Sequence, residues 1–205
     1  MERVELTPSP ILVVGAGIAG LWTALNAAPR SVILLTGAPL GSGTATGWAQ
    51  GGVAGALGPD DAPAIHAHDT VATGEGLTEA VIADLFAQAI PDEIRALAKL
   101  GVPFEASETG ALALGLEAAH SRRRVAHVKG DQAGGAILSV LIEAVRAAHH
   151  ITILDGWRID ALLPGEDGGC AGVLALAPDG KQERLVAGET VLAMGGAGGL
   201  YEVTT

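Results

Sequence analysis

Apolar residues along this chain fall into two spacings: short unbroken runs, and runs that recur every three or four positions. Ile11 to Val14 is an unbroken run that enters Gly15, and Ser31 to Thr36 (S-V-I-L-L-T) is a second. Runs of this kind read as strands buried on both faces. Between them Leu21 to Ala28, rich in leucine and alanine, reads as a helix. Farther on, Thr78 is placed to cap a helix over Ala80 to Ile90, and Pro91 opens another that runs to Leu100 and stops at Gly101. Ile94, Leu97 and Leu100 share one face, as do Ile137, Leu141 and Val145 of an amphipathic helix over Gly134 to His150.

Ile151 to Leu154, Arg158 to Leu163 and Cys170 to Ala177 read as strands, with turns at Pro164 to Gly169 and Pro178-Asp179-Gly180. Glu183 to Met194 reads as a closing strand that runs into G-G-A-G-G. His66 and His68 fall on an extended or loop segment, residues 101–116 are irregular, and no internal repeat is evident. The order of elements predicts an α/β, Rossmann-like domain: a parallel sheet, an added small β-meander and a helical insertion.

The first strand carries candidate chemistry. In I-L-V-V-G-A-G-I-A-G, Gly15 permits a tight turn, Gly17 lets the backbone approach a pyrophosphate, and Gly20 lets the helix pack on the strand. The pattern alone is a weak signal, but a strand before it and a helix and strand after it supply the context it requires. The second strand ends in Thr36-Gly37, with no acid until Asp60. The carboxylate that normally holds the ribose of an NAD cofactor is therefore missing, which disfavours an ordinary NAD site.

Composition narrows the choice further. The 205 residues suffice for one sizeable domain, and with only 3% aromatic residues its core must be aliphatic. A net charge of −11 argues against nucleic acid or an anionic membrane as partner. The single cysteine, Cys170, excludes an internal disulfide and is expected in the core. Met1 to Pro10 lacks the apolar segment of a signal peptide, and no apolar run is long enough to span a bilayer, so a cytoplasmic protein is expected. His66 and His68 have no evident third ligand, and no metal site is expected.

Gly41 to Gly58 is a loop of glycine, serine, threonine and alanine around Trp48 and Gln50. So many ordered glycines favour a backbone wrapped closely about a flat ligand over a linker. Arg122, Arg123 and Arg124 stand together in an acidic chain. They suit either a solvated turn bridged to carboxylates or an anion site, and spacing alone does not separate the two.

Four motifs in this order, V-G-A-G-I-A-G, W-A-Q-G-G, E-A-A-H-S-R-R-R and V-L-A-M-G-G-A-G-G-L-Y, resemble the L-aspartate oxidases. These belong to the succinate dehydrogenase and fumarate reductase flavoprotein superfamily. The resemblance runs over essentially the whole chain and implies FAD bound without a covalent link, because Ala45 stands where membrane-complex relatives carry the flavin-bonded histidine. It implies that Gly15, Ala16, Gly17, Ile18, Ala19 and Gly20 hold the pyrophosphate. Thr46, Gly47, Trp48, Ala49, Gln50, Gly51 and Gly52 would lie along the flavin, and Trp157 and Arg158 would approach the adenine through their backbone. Gly37 lacks the polar side chain of many relatives.

Glu117 matches the glutamate that orients the substrate, where a carboxylate can pair with the α-ammonium that distinguishes aspartate from succinate. Pairing of Glu117 with Arg123 or Arg124 is the plain structural alternative. The implied reaction is oxidation of L-aspartate to iminoaspartate, with oxygen or fumarate as acceptor. The product would feed NAD synthesis, with quinolinate synthase as the expected partner. The resemblance also implies that residues 1–205 form only part of such a flavoprotein, inactive by itself. A fumarate reductase-like flavoprotein piece and a non-catalytic nucleotide-binding module are the competing readings.

Overall fold

The structure, a computed structural model, describes residues 9–166, 168–198 and 201–203. In chain order its elements are β1 (Ile11–Val14), α1 (Ile18–Asn26), β2 (Val32–Thr36), β3 (Val53–Ala54), α2 (Pro63–Thr73), α3 (Ala80–Leu100), β4 (Leu114–Gly115), β5 (Val125–Ala126), α4 (Ala133–Ala147), β6 (Ile151–Asp155), β7 (Arg158–Pro164), β8 (Cys170–Leu176), β9 (Gln182–Val186) and β10 (Glu189–Leu192). They divide into two units. One is built from the residues up to Gly47 and from Leu141 onward, the other from Trp48–Val140.

The first unit contains the parallel sheet that the unbroken apolar runs predict. Its order is β10-β1-β2-β6, with Ile11 opposite both Val32 and Glu189, and Val32 opposite Ile151. All four residues of β1 are buried, as a strand with no polar face must be. Leu12, Val14 and Leu35 form a cluster with Val173, Ala175 and Ala187, so the antiparallel meander β7-β8-β9 covers one face of the sheet. Each such aliphatic side chain contributes about 1.5–3 kcal/mol on burial. The turn at Pro178-Asp179-Gly180 forms as expected: Lys181 and Ala177 close the hairpin, and Gly180 takes a φ of 84°.

Three expectations fail in this unit. Helix α1 begins at Ile18, not Leu21, because Gly17 already turns the chain into the first helical residue. Glu183 to Met194 is two strands in two sheets. At the junction Ala187 donates its amide to Ala171 and Gly188 donates to Pro10, so the chain changes partner there. Cys170 is exposed at the first position of β8 instead of buried, its thiol donating to the Gly172 carbonyl at 3.2 Å.

The second unit joins α2 and α3 to a small antiparallel sheet, β3-β5-β4. His66 and His68 lie on helix α2, not on a loop, because Pro63 starts that helix with its φ already suited to it. Helix α3 is continuous for 21 residues, with Pro91 inside it instead of opening a second helix. The proline removes one backbone donor, but its ring is buried on the face that carries Ala87 and Ile94. That burial offsets the lost bond. Thr78 does not cap α3; the capping position is Glu79, one residue later. Gly101 ends the helix at φ 114°, with Val102 donating back to Leu97. Residues 101–116 are mostly irregular as expected, apart from β4 and an isolated bridge between Ala106 and Leu112.

Arg124 is the largest fully buried side chain here. Its Nε and Nη2 donate to the two oxygens of Asp61, each at 2.9 Å, and its Nη1 donates to Asp69 at 2.8 Å. Its amide donates to Gly115 and its carbonyl accepts from Gly55. One residue thus links both neighbouring strands to the turn before α2 and to α2 itself. Burial raises the Asp69 carboxyl, but the amide and hydroxyl of Ser121 together with Arg124 outweigh it and hold the pKa at about 2. His66 is pulled below the ordinary imidazole value by burial first, then by Arg124 and His120, and its Nδ1 is buried without a hydrogen-bond partner among the described residues. No helix among the described residues is long and apolar enough to cross a membrane.

Two stability outcomes follow from this cluster. Arg124→Leu takes the guanidinium from two buried carboxylates, leaving Asp69 its Ser121 hydrogen bonds alone, and should cost about 3–5 kcal/mol in denaturant unfolding; a loss under about 1 kcal/mol would mean the clamp is not as described. Asp69 has a depressed pKa, so its stabilisation is complete above the ordinary carboxylate value and is lost as the pH falls from about 4 towards about 2. Melting temperatures of Asp69→Asn and the unsubstituted protein should therefore converge across that range, the variant losing less stability on acidification.

Candidate functional site

In the first unit the parallel strands end together, and the turns that leave them enclose a cleft of about 1050 Å³. In open parallel sheets this is where ligands bind, beside the strand from which the order runs both ways. Here that strand is β1, flanked by β2 on one side and β10 on the other.

The three glycines of the fingerprint do different work. Gly15 has φ 108°, and a Cβ there would overlap the Ala193 carbonyl at the end of β10. Gly20 lies so close to Gly15 that a Cβ would overlap the Gly15 carbonyl, which brings α1 down onto the turn. Gly17 is the residue whose missing side chain leaves room: a Cβ would have only the Thr46 hydroxyl near it, at 3.3 Å. The capping residue of helix α1, Gly17, has no side chain to offer its amides, and no acid lies in the first turn. Gly17, Ile18 and Ala19 all line the cleft, so the positive end of the helix dipole is available to an anion there. The Ile18 amide donates to Thr46 at 3.0 Å, which ties the glycine-rich segment to the helix start.

The opposite wall is backbone. Gly37 has only the Trp157 carbonyl near its Cβ direction, at 3.8 Å, and Trp157 donates its amide to Thr36 at 3.0 Å. Asp155, at the end of β6, accepts from the Leu40 amide at 2.9 Å and shapes the turn after β2. Thr44 lines the cleft with a buried hydroxyl that has no hydrogen-bond partner among the described residues. A long, bent ligand with a central diphosphate and polar ends suits this arrangement: glycine walls, a helix start and an unsatisfied hydroxyl.

Gly15, Ala16, Gly17, Ile18, Ala19, Gly37, Ala45, Thr46, Trp157 and Arg158 are brought together in the lining of this cleft. Gly20 and Gly47 are not in the lining: Gly20 packs behind the turn, and Gly47 belongs to a 3₁₀ turn over Ala45–Trp48. Trp48, Ala49, Gln50, Gly51 and Gly52 fall in the second unit. Trp48 is exposed, Ala49 accepts from the Gly134 amide at 3.1 Å, and Gly52 lets β3 approach Ala126 of β5. Ser42 and Thr44, within the loop expected to wrap a ligand, line the cleft, as do Thr36, Ile159 and the turn Leu192–Gly196, which the sequence left unassigned. The glycine run after β10 was the signal that could have found the last of these.

Glu117 lies on an exposed turn of the second unit, and its carboxylate faces His127, with Oε1 3.6 Å from Nε2. It pairs with neither Arg123 nor Arg124, since Arg124 is committed to Asp61 and Asp69. Of the arginine trio, Arg124 is structural, and Arg122 donates to the Asp60 and Ser121 carbonyls. No cluster able to hold a metal occurs among the described residues.

Known proteins share both the sequence and the fold. The FAD binding domain family matches residues 10–205. L-aspartate oxidase of Agrobacterium fabrum is 44% identical over 194 residues, 95% of this chain and 37% of that protein. The Caulobacter vibrioides enzyme of the same name is 44% identical over 208 residues, 100% of this chain and 40% of that protein. The chain thus spans well under half the length of these relatives. Among solved structures, Mycobacterium smegmatis Sdh1 superposes with a TM-score of 0.88 at 27% identity, over 97% of this chain and 35% of that one. Escherichia coli quinol fumarate reductase FrdA gives 0.86 at 26% identity, over 95% and 34%. A glycine-walled cleft at the ends of a parallel sheet, matched along nearly its whole length, makes this chain a member of the FAD binding domain family, similar to the L-aspartate oxidases and with FAD as its cofactor.

Proposed function

We propose that the chain is the FAD-binding part of an L-aspartate oxidase, a cytoplasmic enzyme that converts L-aspartate to iminoaspartate with oxygen or fumarate as acceptor. The observation that carries the reading is the 44% identity to L-aspartate oxidases across a chain whose cleft has the shape and donors FAD needs. Bound FAD supplies the acceptor for a hydride from the substrate carbon. The residues of the chain bind and orient. The turn from Ala16 to Ala19 offers the helix start to the diphosphate, Thr44 and Thr46 add hydroxyls, and the Trp157–Arg158 backbone flanks the Gly37 end. Ala45 has no atom able to bond the flavin, so the cofactor is held by non-covalent contacts alone. Trp48 to Gly52 extend the flavin-binding loop, and Glu117 pairs with the α-ammonium of the substrate. Iminoaspartate is unstable in water, so a quinolinate synthase that consumes it is the natural partner.

The fumarate reductase relatives in the structural comparison support a second reading, reduction of a dicarboxylate, at 26% identity. It leaves Glu117 without a cation to pair.

FAD added to the purified protein should give a bound flavin spectrum, and acid precipitation should release all of it to the supernatant. Flavin left in the pellet would overturn non-covalent binding. Gly17→Val, which fills the one glycine of the fingerprint not packed against backbone, should weaken FAD binding by roughly tenfold, about 1.4 kcal/mol, while the melting temperature without FAD changes little. Within the full-length protein, Glu117→Gln removes a charged partner worth about 1.5–3 kcal/mol and should lower aspartate kcat/KM by about tenfold to a hundredfold. Equal losses with aspartate and fumarate would refute the ammonium-pairing role.

A further inference from the structure

We propose that His127 is a positioning residue for Glu117, holding the carboxylate by an ion pair so that it meets an amino-acid substrate in one orientation. The inference rests on the reading of Glu117 as the partner of the substrate ammonium. It reaches beyond that reading to a residue that none of the four motifs contains.

The geometry begins with the imidazole. His127 follows β5 directly, and its Nδ1 lies 3.2 Å from the Gly130 carbonyl oxygen. A carbonyl oxygen only accepts, so Nδ1 is the donor, and this bond aims Nε2 at Glu117 Oε1, 3.6 Å away. At 3.6 Å the Glu117 contact is an ion-pair distance beyond hydrogen-bond reach, and it is attractive when the ring is the imidazolium, which carries a proton on each nitrogen. The Gly130 amide donates to Glu105 at 2.8 Å, and the Glu105 amide donates to the His127 carbonyl at 2.9 Å. The ring is therefore oriented by groups that are themselves tied down.

Strand β4 makes the space. A Cβ on Gly115 would strike the His127 ring, so the glycine is what lets the imidazole lie against the strand. Gly115 pairs with Val125 and Leu114 with Ala126 in antiparallel register, so the His127 backbone lies on the far side of these pairs from Glu117 and its ring reaches back over Gly115 towards the acid. The His120 amide donates to the Glu117 carbonyl at 3.2 Å, and Ala119 takes a φ of 69° to close that turn. The acid thus has a fixed backbone and, at 46% side-chain exposure, one oxygen directed to His127. Among the described residues its other oxygen has no hydrogen bond or ion pair.

A carboxylate free to rotate on an exposed turn loses rotamer freedom when it captures an ammonium group. A histidine that has already oriented it removes that cost. The effect is specific to a ligand carrying a cation: succinate, the same dicarboxylate without the α-ammonium, makes no use of Glu117.

Nitrogen-15 spectra of the histidine rings test the pair without turnover. Replacing Glu117→Gln should move the His127 Nε2 resonance while leaving those of the other five histidines in place. An unmoved His127 resonance overturns the proposal whatever the enzyme does. In the FAD-loaded full-length protein, the preference for L-aspartate over succinate, read from flavin absorbance on titration, should fall about threefold to fivefold in His127→Ala. His127→Gln, which can still donate to the carboxylate, should restore most of it. If Glu117→Gln abolishes the preference and His127→Ala leaves it intact, the positioning role fails alone. If neither substitution changes it, the reading of Glu117 fails as well.

Discussion

Everything in the first unit depends on how closely three pieces of backbone meet at the end of β1. The Gly15 carbonyl lies where a side chain on residue 20 would stand, and the Ala193 carbonyl lies where one on residue 15 would stand. Helix, central strand and last strand are thus packed without intervening side chains. That contact fixes the helix start at the mouth of the cleft and sets β10 beside β1. The opening for a diphosphate exists because the third glycine of the group, Gly17, is the one not used for packing.

Much of this could be read in the chain, and the reasons for the rest are physical. The unbroken runs of β1 and β2 had no alternative to burial on both faces, and the glycine spacing between them had a narrow set of uses. The meander was legible from its Pro-Asp-Gly turn. Helix α3 differs from the expectation because Pro91 usually ends or opens a helix, whereas here it sits on the buried face that Ala87 and Ile94 of the same helix share. The histidine-bearing segment was misread because its helix is short and weakly patterned. Strands β3, β4 and β5 span two residues each, too few for any periodicity to register. The cleft residues divide the same way. Those in the fingerprint and in the glycine-rich loop were visible, whereas Thr36 and Ile159 line it only because the fold brings strand ends together.

The arginine trio shows why residue type alone does not assign a role. A guanidinium that matches a ligand carboxylate matches Asp61 equally well, with the same two-point geometry. Burial decides: Arg124 has no solvent exposure and all its carboxylate partners belong to the chain. The acid whose role was tied to those arginines meets a histidine instead. The resemblance gave Glu117 a substrate partner, with an arginine as the structural alternative; that it faces a histidine is set by the Gly115 space in β4 and could not be seen in one dimension.

The order of the parallel sheet has a consequence for how the protein is made. Ile11 pairs with Glu189, so the central strand waits for a neighbour from the far end of the sequence. At a synthesis rate of about 5–20 residues per second, β1 stands with one edge unpaired for roughly ten seconds or more. Its four apolar residues are a template for any strand that reaches them first. Helix α1 and β2, which follow at once, are therefore early guardians of that edge's faces, and the chain's acidity keeps nascent copies apart. A fold that places its first strand in the middle of the sheet makes a sound ligand cleft and a vulnerable beginning.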